Sequence, residues 1–233
     1  TGRLGNWAIG QGRKYCRQRA AGSERLEKLA VSTEMPTLRL GFLASHGGSN
    51  MQAIIDACKQ GRLDAAPCVA ISNNSESMAL QRARRAGIPA YHVSAVTHPG
   101  AEEDREILRV LRRHGVDTVV LAGYMKRIGP ETLGAYRGRI LNIHPALLPK
   151  YGGRGMYGKR VHEAVLSAGE RVTGVTVHVV DELYDHGRIL AQCDVPVRER
   201  DTAEALAERV LREEHRLYPD TLRRIAAGEI VLD

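Results

Sequence analysis

Aromatic residues are scarce in this sequence: they make up 4% of its 233 residues and include one Phe and one Trp. A surface that binds RNA by stacking bases on aromatic rings is therefore not expected. No apolar run approaches the roughly 20 residues that span a bilayer, and no apolar segment of a secretory signal is present. We therefore expect neither a membrane nor a nucleic-acid partner, and a cytoplasmic location.

The four cysteines, Cys16, Cys58, Cys68 and Cys193, contain no C-x-x-C pair. This usage is typical of reduced thiols in a cytosolic protein rather than of a disulfide framework. No His/Cys cluster has the spacing of a zinc site, so no metal is expected.

The net charge of +7 is concentrated at the start of the chain, where residues 1–36 hold seven Lys and Arg against three Glu. This segment is rich in Gly and Arg with weak periodicity, and we expect a poorly ordered N-terminal extension followed by one domain over residues 37–233. A nucleic-acid-binding arm or a transit peptide is the alternative. The position of Met35, just before the first strand-like run, favours an extension from an upstream start codon.

Short apolar runs alternate with amphipathic helical segments through the first two thirds of the body. This alternation predicts an α/β fold, a Rossmann-like, mostly parallel sheet with helices on both faces. The predicted strands are 38–44, 67–73, 89–93, 117–123 and 138–144, and the predicted helices are 50–61, 77–87 and 102–115.

The last third of the chain has a different pattern. Two extended runs, 171–180 and 188–197, are joined by DELYDHG and predict an antiparallel C-terminal strand pair added to the sheet. Residues 201–228 predict a closing helix, with Asp201 and Glu204 as a capping-box-like start. Pro219 is expected to kink or divide that helix.

The loop SHGGSN, residues 45–50, follows the first strand and precedes the first helix. Two glycines allow a ligand to approach the backbone, and a helix N-terminus favours a phosphate. Ser49 or Asn50 is expected to cap that helix. A tight turn with an ordinary cap explains the same residues, and both interpretations stay open.

Asn142 and His144 are two residues apart at the end of a strand, so both side chains lie on one face of the sheet. Such a pair can stabilise an oxyanion and move a proton. A capping Asn and a surface His explain the same spacing.

Two acidic stretches complete the candidate chemistry. A carboxylate of the 181–185 run, placed near His144, would favour the imidazolium and raise its pKa, although a solvated hairpin loop is the alternative. The calcium-loop spacing is absent from this run. The run Glu213-Glu214-His215 can either hold ribose hydroxyls or form a solvent-facing helix surface.

Taken together, these residues resemble the phosphoribosylglycinamide formyltransferase family from about Arg39 to Gly228. The resemblance rests on GGSNMQAII (47–55), ISNN (71–74), VVLAGYMKRI (119–128), LNIHPALLPKY (141–151), VTVHVVDELYDHGRILAQ (175–192) and EEHRLYP (213–219). Several motifs in one order are far more specific than any single motif. The resemblance implies the formyltransferase fold.

The resemblance also implies site residues. The catalytic residues are Asn142, His144 and Asp185. Residues that bind the amine substrate are Gly47, Gly48, Ser49, Asn50, Met125 and Glu214. Residues that bind the folate are Met125, Lys126, Arg127, Ile128, Asn142, Asp181, Glu182, Leu183, Tyr184 and Asp185.

The implied reaction transfers the formyl group of 10-formyltetrahydrofolate, a co-substrate, to the amino group of glycinamide ribonucleotide in purine synthesis. Protonated His144 and the amide of Asn142 stabilise the anionic oxygen, and Asp185 keeps His144 charged. No metal takes part, and the expected assembly is a monomer or a homodimer.

Rival functions remain. Formyltetrahydrofolate hydrolase is expected to carry a regulatory domain ahead of such a body, and methionyl-tRNA formyltransferase a further C-terminal domain. An RNA-binding module predicts steeply salt-dependent RNA binding. A non-catalytic folate-binding protein predicts folate binding without turnover.

Overall fold

The strands form one mixed seven-stranded sheet. The computed structural model describes residues 38–232, so the predicted extension over residues 1–36 lies outside the described residues. In chain order the strands are β1 (Leu38–Ala44), β2 (Ala65–Ser72), β3 (Ala90–His92), β4 (Thr118–Leu121), β5 (Ile140–His144), β6 (Val172–Val179) and β7 (Ile189–Pro196). Their spatial order is β3-β2-β1-β4-β5-β6-β7.

The pairing confirms the predicted fold class. Strands β1 to β5 are parallel, whereas β6 runs antiparallel to β5 and β7 runs antiparallel to β6. The chain leaves β1 toward β2 on one side and returns to β4 on the other, so the strand order reverses beside β1. Open α/β sheets bind ligands outside the carboxyl ends of the strands at such a reversal.

Helices cover both faces of the sheet, as predicted. They are α1 (Ser49–Lys59), α2 (Met78–Arg85), α3 (Glu102–Arg113), α4 (Pro130–Ala135), α5 (Lys159–Ser167) and α6 (Ala203–Ala226). One core cluster contains apolar side chains of α1, α2, α5 and α6, and a second contains those of α3. The alternating strand residues divide between these two layers, because successive side chains point to opposite faces.

The closing helix α6 runs unbroken from Ala203 to Ala226 with Pro219 inside it. Of the two expected effects of Pro219, the kink stays a prediction, and the division of the helix is therefore wrong. Tertiary packing supplies the reason, because Tyr218, Pro219 and Leu222 are buried. The hydroxyl of Tyr218 contacts the carbonyl oxygens of Leu141 at 2.8 Å and Leu121 at 3.3 Å. These contacts hold α6 against β4 and β5.

The start of α6 also differs from the predicted capping box. Thr202 is the N-cap, and its hydroxyl accepts a hydrogen bond from the Ala205 N–H. Asp201 instead accepts two hydrogen bonds from the guanidinium of Arg209, at 2.6 and 2.7 Å. A planar guanidinium fork matches a carboxylate in this way, so Asp201 joins the first turns of the helix to the loop before it.

The sequence prediction missed two helices, α4 and α5. Pro130 at the first position of α4 and Gly169 just beyond α5 are ordinary start and stop signals. No helix among residues 38–232 is long and apolar enough to span a bilayer.

Candidate active site

A cavity of about 770 Å³ opens at the carboxyl ends of β4 and β5. Pockets that hold small molecules have volumes of roughly 300–1,000 Å³, so this one is large enough for a sizeable ligand. It brings together most of the residues that the sequence singled out. These are Asn50, Met125, Lys126, Arg127, Ile128, Asn142, His144, Asp181, Glu182, Leu183, Tyr184, Asp185 and Glu214.

Asn142 is held by a residue on the neighbouring strand. Antiparallel pairing places His178 of β6 directly opposite Asn142 of β5, and Asn142 Nδ2 lies 3.0 Å from His178 Nε2. His178 Nδ1 lies 2.9 Å from the carbonyl oxygen of Val179. Because a carbonyl only accepts, Nδ1 donates to it, which leaves Nε2 as the acceptor for the Asn142 amide. His178 therefore fixes which way the amide of Asn142 points.

His144 lies at the end of β5, with its side chain buried between two acceptors. Its Nε2 donates to the carbonyl oxygen of Tyr151 at 2.8 Å, and its Nδ1 lies 3.5 Å from Asp185 Oδ2. Tyr151 adopts a positive φ of 57° and its hydroxyl donates to Glu170 at 2.9 Å. The strand end and the loop after it together set the orientation of the imidazole.

Burial sets the protonation state of His144. His144 is 3% exposed. Its removal from water lowers the pKa of the imidazole, and the charge of Asp185 raises that pKa by a smaller amount. The expectation that a nearby carboxylate gives a raised pKa is therefore wrong. The carboxylate is present, but the cost of burying a charged ring outweighs its attraction.

Asp185 comes from the loop between β6 and β7 and lies between the two imidazoles. Its Oδ1 is 3.6 Å from His178 Nε2, and its Oδ2 accepts a hydrogen bond from the Gly153 N–H at 2.9 Å. Burial acts to raise the pKa of Asp185, but the attraction of His178 and His144 in their protonated forms and the Gly153 N–H outweigh it, so the pKa is lowered. Asp185 is therefore a carboxylate at neutral pH.

The glycine loop enters the site through its last residue, Asn50. Gly48 is the N-cap of α1 with φ 65°, and no side chain caps the helix, so the expected cap by Ser49 or Asn50 is wrong. A Cβ on Gly48 would lie 2.7 Å from the Cβ of Ala79, which leaves room only for glycine. Gly47 and Ser49 precede Asn50 in this turn, and like Gly48 they are absent from the cavity lining.

Asn50 instead binds the acidic stretch of the last helix. Its Nδ2 donates to Glu214 Oε2 at 2.7 Å. Glu214 is 8% exposed, so a solvent-facing helix surface is excluded at this position, and burial raises its pKa. Asn50 Oδ1 is buried without a partner among the described residues, which leaves one acceptor for a bound ligand.

Two loops form the more exposed wall of the cavity. Residues 125–128 follow β4, and residues 181–184 follow β6. Arg127 donates to the carbonyl oxygen of Glu182 at 2.8 Å, and Arg137 pairs with the Glu182 carboxylate at 3.0 Å. The side chains of Met125, Leu183 and Tyr184 are exposed and offer an apolar surface at the mouth.

Sequence reasoning missed two histidines that line the cavity, His162 and His178. The signal for His178 was available once the strand pair was assigned, since its side chain alternates with that of Val177 and shares a sheet face with Thr176. Only the register places it opposite Asn142. His162 lies on α5, and its Nδ1 is buried without a partner among the described residues.

Residues 38–222 match the family model described as formyl transferase. The chain is 45% identical over 194 residues to the chloroplastic phosphoribosylglycinamide formyltransferase of Vigna unguiculata, which covers 83% of this chain and 62% of that protein. The phosphoribosylglycinamide formyltransferase of Escherichia coli is 38% identical over 194 residues, covering 83% of this chain and 89% of that protein.

A solved structure with the same fold is glycinamide ribonucleotide transformylase 1 from Symbiobacterium toebii. It has a TM-score of 0.79 and 42% identity, and the match covers 84% of this chain and 91% of that one. The fold, the family match and the site agree, and the chain belongs to the formyl transferase family. The relatives named here are phosphoribosylglycinamide formyltransferases. The chain spans about three fifths of the length of the Vigna protein.

Proposed function

We propose that this chain transfers the formyl group of 10-formyltetrahydrofolate to the amino group of glycinamide ribonucleotide. The observation that carries the proposal is the meeting of Asn142, His144 and Asp185 in one cavity, with Asn50 and Glu214 at its inner wall. The names of the Vigna and Escherichia coli relatives support the choice of substrate. Residues between Met125 and Ile128 and between Asp181 and Asp185 would hold the folate.

The amine attacks the formyl carbon and forms a tetrahedral species with an anionic oxygen. An amide donor aimed at that oxygen stabilises it, and Asn142 fits this role because His178 uses only one of its two Nδ2 hydrogens. Loss of one such donor costs on the order of 10²–10³ in rate in enzymes that use an oxyanion hole.

His144 then moves the proton that the amine must lose. Because burial lowers its pKa, the ring starts neutral, with its proton on Nε2 facing Tyr151. Nδ1 is free to take the proton, and Asp185 at 3.5 Å stabilises the imidazolium that forms. When the bond from the formyl carbon to the folate nitrogen breaks, the same proton passes to that nitrogen. This order replaces the initially protonated His144 expected from the sequence.

The inner wall would hold the ribonucleotide. Glu214 and the unpaired Oδ1 of Asn50 accept hydrogen bonds from ribose hydroxyls. The Gly47–Asn50 turn offers N–H groups of a helix N-terminus to the phosphate.

A folate absorbance assay with and without glycinamide ribonucleotide tests the proposal. Loss of formyl-folate only when the amine is present is the expected result. Loss that does not depend on the amine would assign the chain to the hydrolases instead, and folate binding without any loss would assign a non-catalytic role. His144→Ala is the matched variant, and it should fold normally while turnover disappears.

Other expectations from the sequence stay predictions. These are a cytoplasmic location, a monomeric or homodimeric assembly, the absence of nucleic-acid and membrane partners, and a reaction without a metal ion.

A further inference from the structure

The turn before α1 is held by α2 through two consecutive carbonyl groups. The carbonyl oxygen of His46 accepts a hydrogen bond from the Ala79 N–H at 3.0 Å. The next carbonyl oxygen, that of Gly47, accepts one from Arg82 Nε at 3.0 Å. The carbonyl groups of His46 and Gly47 are therefore directed toward α2.

The N–H groups of the same turn are left for a ligand. The first hydrogen bond of α1 runs from the Gln52 N–H to the Gly48 carbonyl oxygen, so the N–H groups of residues 49–51 have no partner within the helix. With the His46 and Gly47 carbonyls held by α2, these N–H groups are left as donors for an anion.

Arg82 brings a positive charge that no carboxylate of the described residues neutralises. Its hydrogen-bond partners are the Gly47 carbonyl and, at 3.4 Å, the side-chain oxygen of Gln52, and both are neutral. Among residues 38–232 no Asp or Glu pairs with it, whereas other arginines, such as Arg105 and Arg209, pair with carboxylates. The charge of Arg82 also reaches His215 of α6, where it adds to burial in lowering the imidazole pKa.

We propose that Arg82 is the positioning residue and the fixed cation of the phosphate site, which selects a substrate that ends in a phosphomonoester. This inference rests on the proposed function. Arg82 holds the Gly47 carbonyl away from the ligand and places a positive charge behind the N–H groups that receive the phosphate. A dianionic phosphate binds more tightly because of the displaced carbonyl and because of the positive charge. An uncharged nucleoside has no phosphate at this position, so neither feature changes its affinity.

The test compares Arg82→Gln with Arg84→Gln, a matched control that removes the same charge from an exposed position of the same helix. Binding of inorganic phosphate and of ribose 5-phosphate is measured by calorimetry, and KM and kcat are measured with glycinamide ribonucleotide and with its dephosphorylated form. Arg82→Gln should weaken binding of both phosphate probes and raise KM for the phosphorylated substrate by about tenfold, with kcat nearly unchanged. The KM for the dephosphorylated form should stay the same.

Arg82→Lys separates the effect of the positive charge from that of the hydrogen bond to the Gly47 carbonyl, because lysine keeps the charge but lacks the planar guanidinium group. It should recover part of the lost affinity. Equal KM changes for both substrates, or equal effects of the Arg82 and Arg84 variants, would overturn the inference. So would unaltered phosphate affinity in Arg82→Gln with a normal melting temperature. If the wild-type chain binds ribose 5-phosphate but transfers no formyl group, the proposed function fails and the Arg82 comparison still stands on the binding data.

Discussion

At the scale of single residues, the site works through competition between burial and charge. His144 has a carboxylate within 3.5 Å, yet its pKa is lowered because the ring is almost completely buried. Asp185 is also partly desolvated, yet its pKa is lowered because the Gly153 N–H binds it and both imidazoles attract it once they are protonated. The result is a neutral base beside a charged partner, which suits a residue that gains a proton only during the reaction.

The pKa of His144 is therefore expected to fall further in Asp185→Asn, since the charge that raises it is removed. In the wild type the ring should be neutral at pH 7 and take up a proton only below its ordinary pKa of about 6.5. Ring-proton NMR titration measures both values, with the His144 signal assigned by its absence from His144→Ala. A higher pKa in Asp185→Asn than in the wild type would contradict this account.

His178 is expected to act through Asn142. Replacing it by Leu removes the acceptor for the Asn142 amide, so kcat should fall by up to about 100-fold as the oxyanion donor loses its orientation. His178→Gln, which can accept through its side-chain oxygen, should retain more activity than His178→Leu.

A double-mutant cycle checks that coupling. If His178 acts through the amide, adding His178→Leu to Asn142→Ala should lower kcat little further. Fully additive losses would instead show that the two side chains contribute independently.

At the scale of elements, α6 connects stability to the site. One stripe of the helix, from Leu206 and Val210 to Tyr218 and Leu222, is buried, and Glu214 lies on the same stripe one turn before Tyr218. The packing that holds the helix over the sheet therefore also places Glu214 against Asn50. A change at the start of α6 should act on stability before it acts on chemistry.

The bidentate pair of Asp201 and Arg209 provides such a change. The hydrogen bonds from Arg209 lower the pKa of Asp201 to about 2, so its stabilising contribution is present above the unfolded-state pKa of about 3.9 and is lost as the pH falls through about 2. Asp201→Asn should lower the free energy of unfolding by about 2 kcal/mol at pH 7.

Urea denaturation measures that loss, and the gap between wild type and variant should narrow between about pH 4 and about pH 2. Asp220→Asn is the control, because its pair with Arg223 is exposed and contributes little. If both variants lost the same free energy of unfolding, the Asp201–Arg209 pair would contribute no more to stability than an exposed ion pair.

At the scale of the whole molecule, the site is a property of the sheet. Residues that are distant in sequence, such as Asn50, Asn142 and Glu214, meet because β1, β4 and β5 end at one edge and α6 crosses above them. The family match over residues 38–222 covers this sheet and all but the end of α6.

A chain that starts at Pro36 is therefore expected to fold and to retain formyl transfer. Its melting temperature and its kcat/KM should match those of the full chain, and each is measured on both proteins under the same conditions. A large fall in either would show that residues 1–35 contribute to the fold or to the site.

Much of this protein could be predicted from its sequence. The parallel strands, the helices on both faces and the antiparallel pair follow from the local periodicity of apolar residues, because that periodicity reports which face of each element is buried. The helix α4 was missed because six residues are too few to show a period. The helix α5 is longer than the predicted α2, and its stop signal at Gly169 was overlooked. The unbroken α6 was missed because packing outweighed the local effect of Pro219. The candidates Asn142, His144, Asp185 and Glu214 were also accessible, through strand-end spacing and the order of motifs.

Only the tertiary structure decided how those residues behave. Desolvation lowers the pKa of His144. Strand register places Asn142 within hydrogen-bonding distance of His178, and helix packing lets Arg82 donate a hydrogen bond to the Gly47 carbonyl. All three arise from contacts between segments far apart in the chain. Sequence spacing determines which side chains share a face, but the charge state and orientation of each depend on what the fold packs against it.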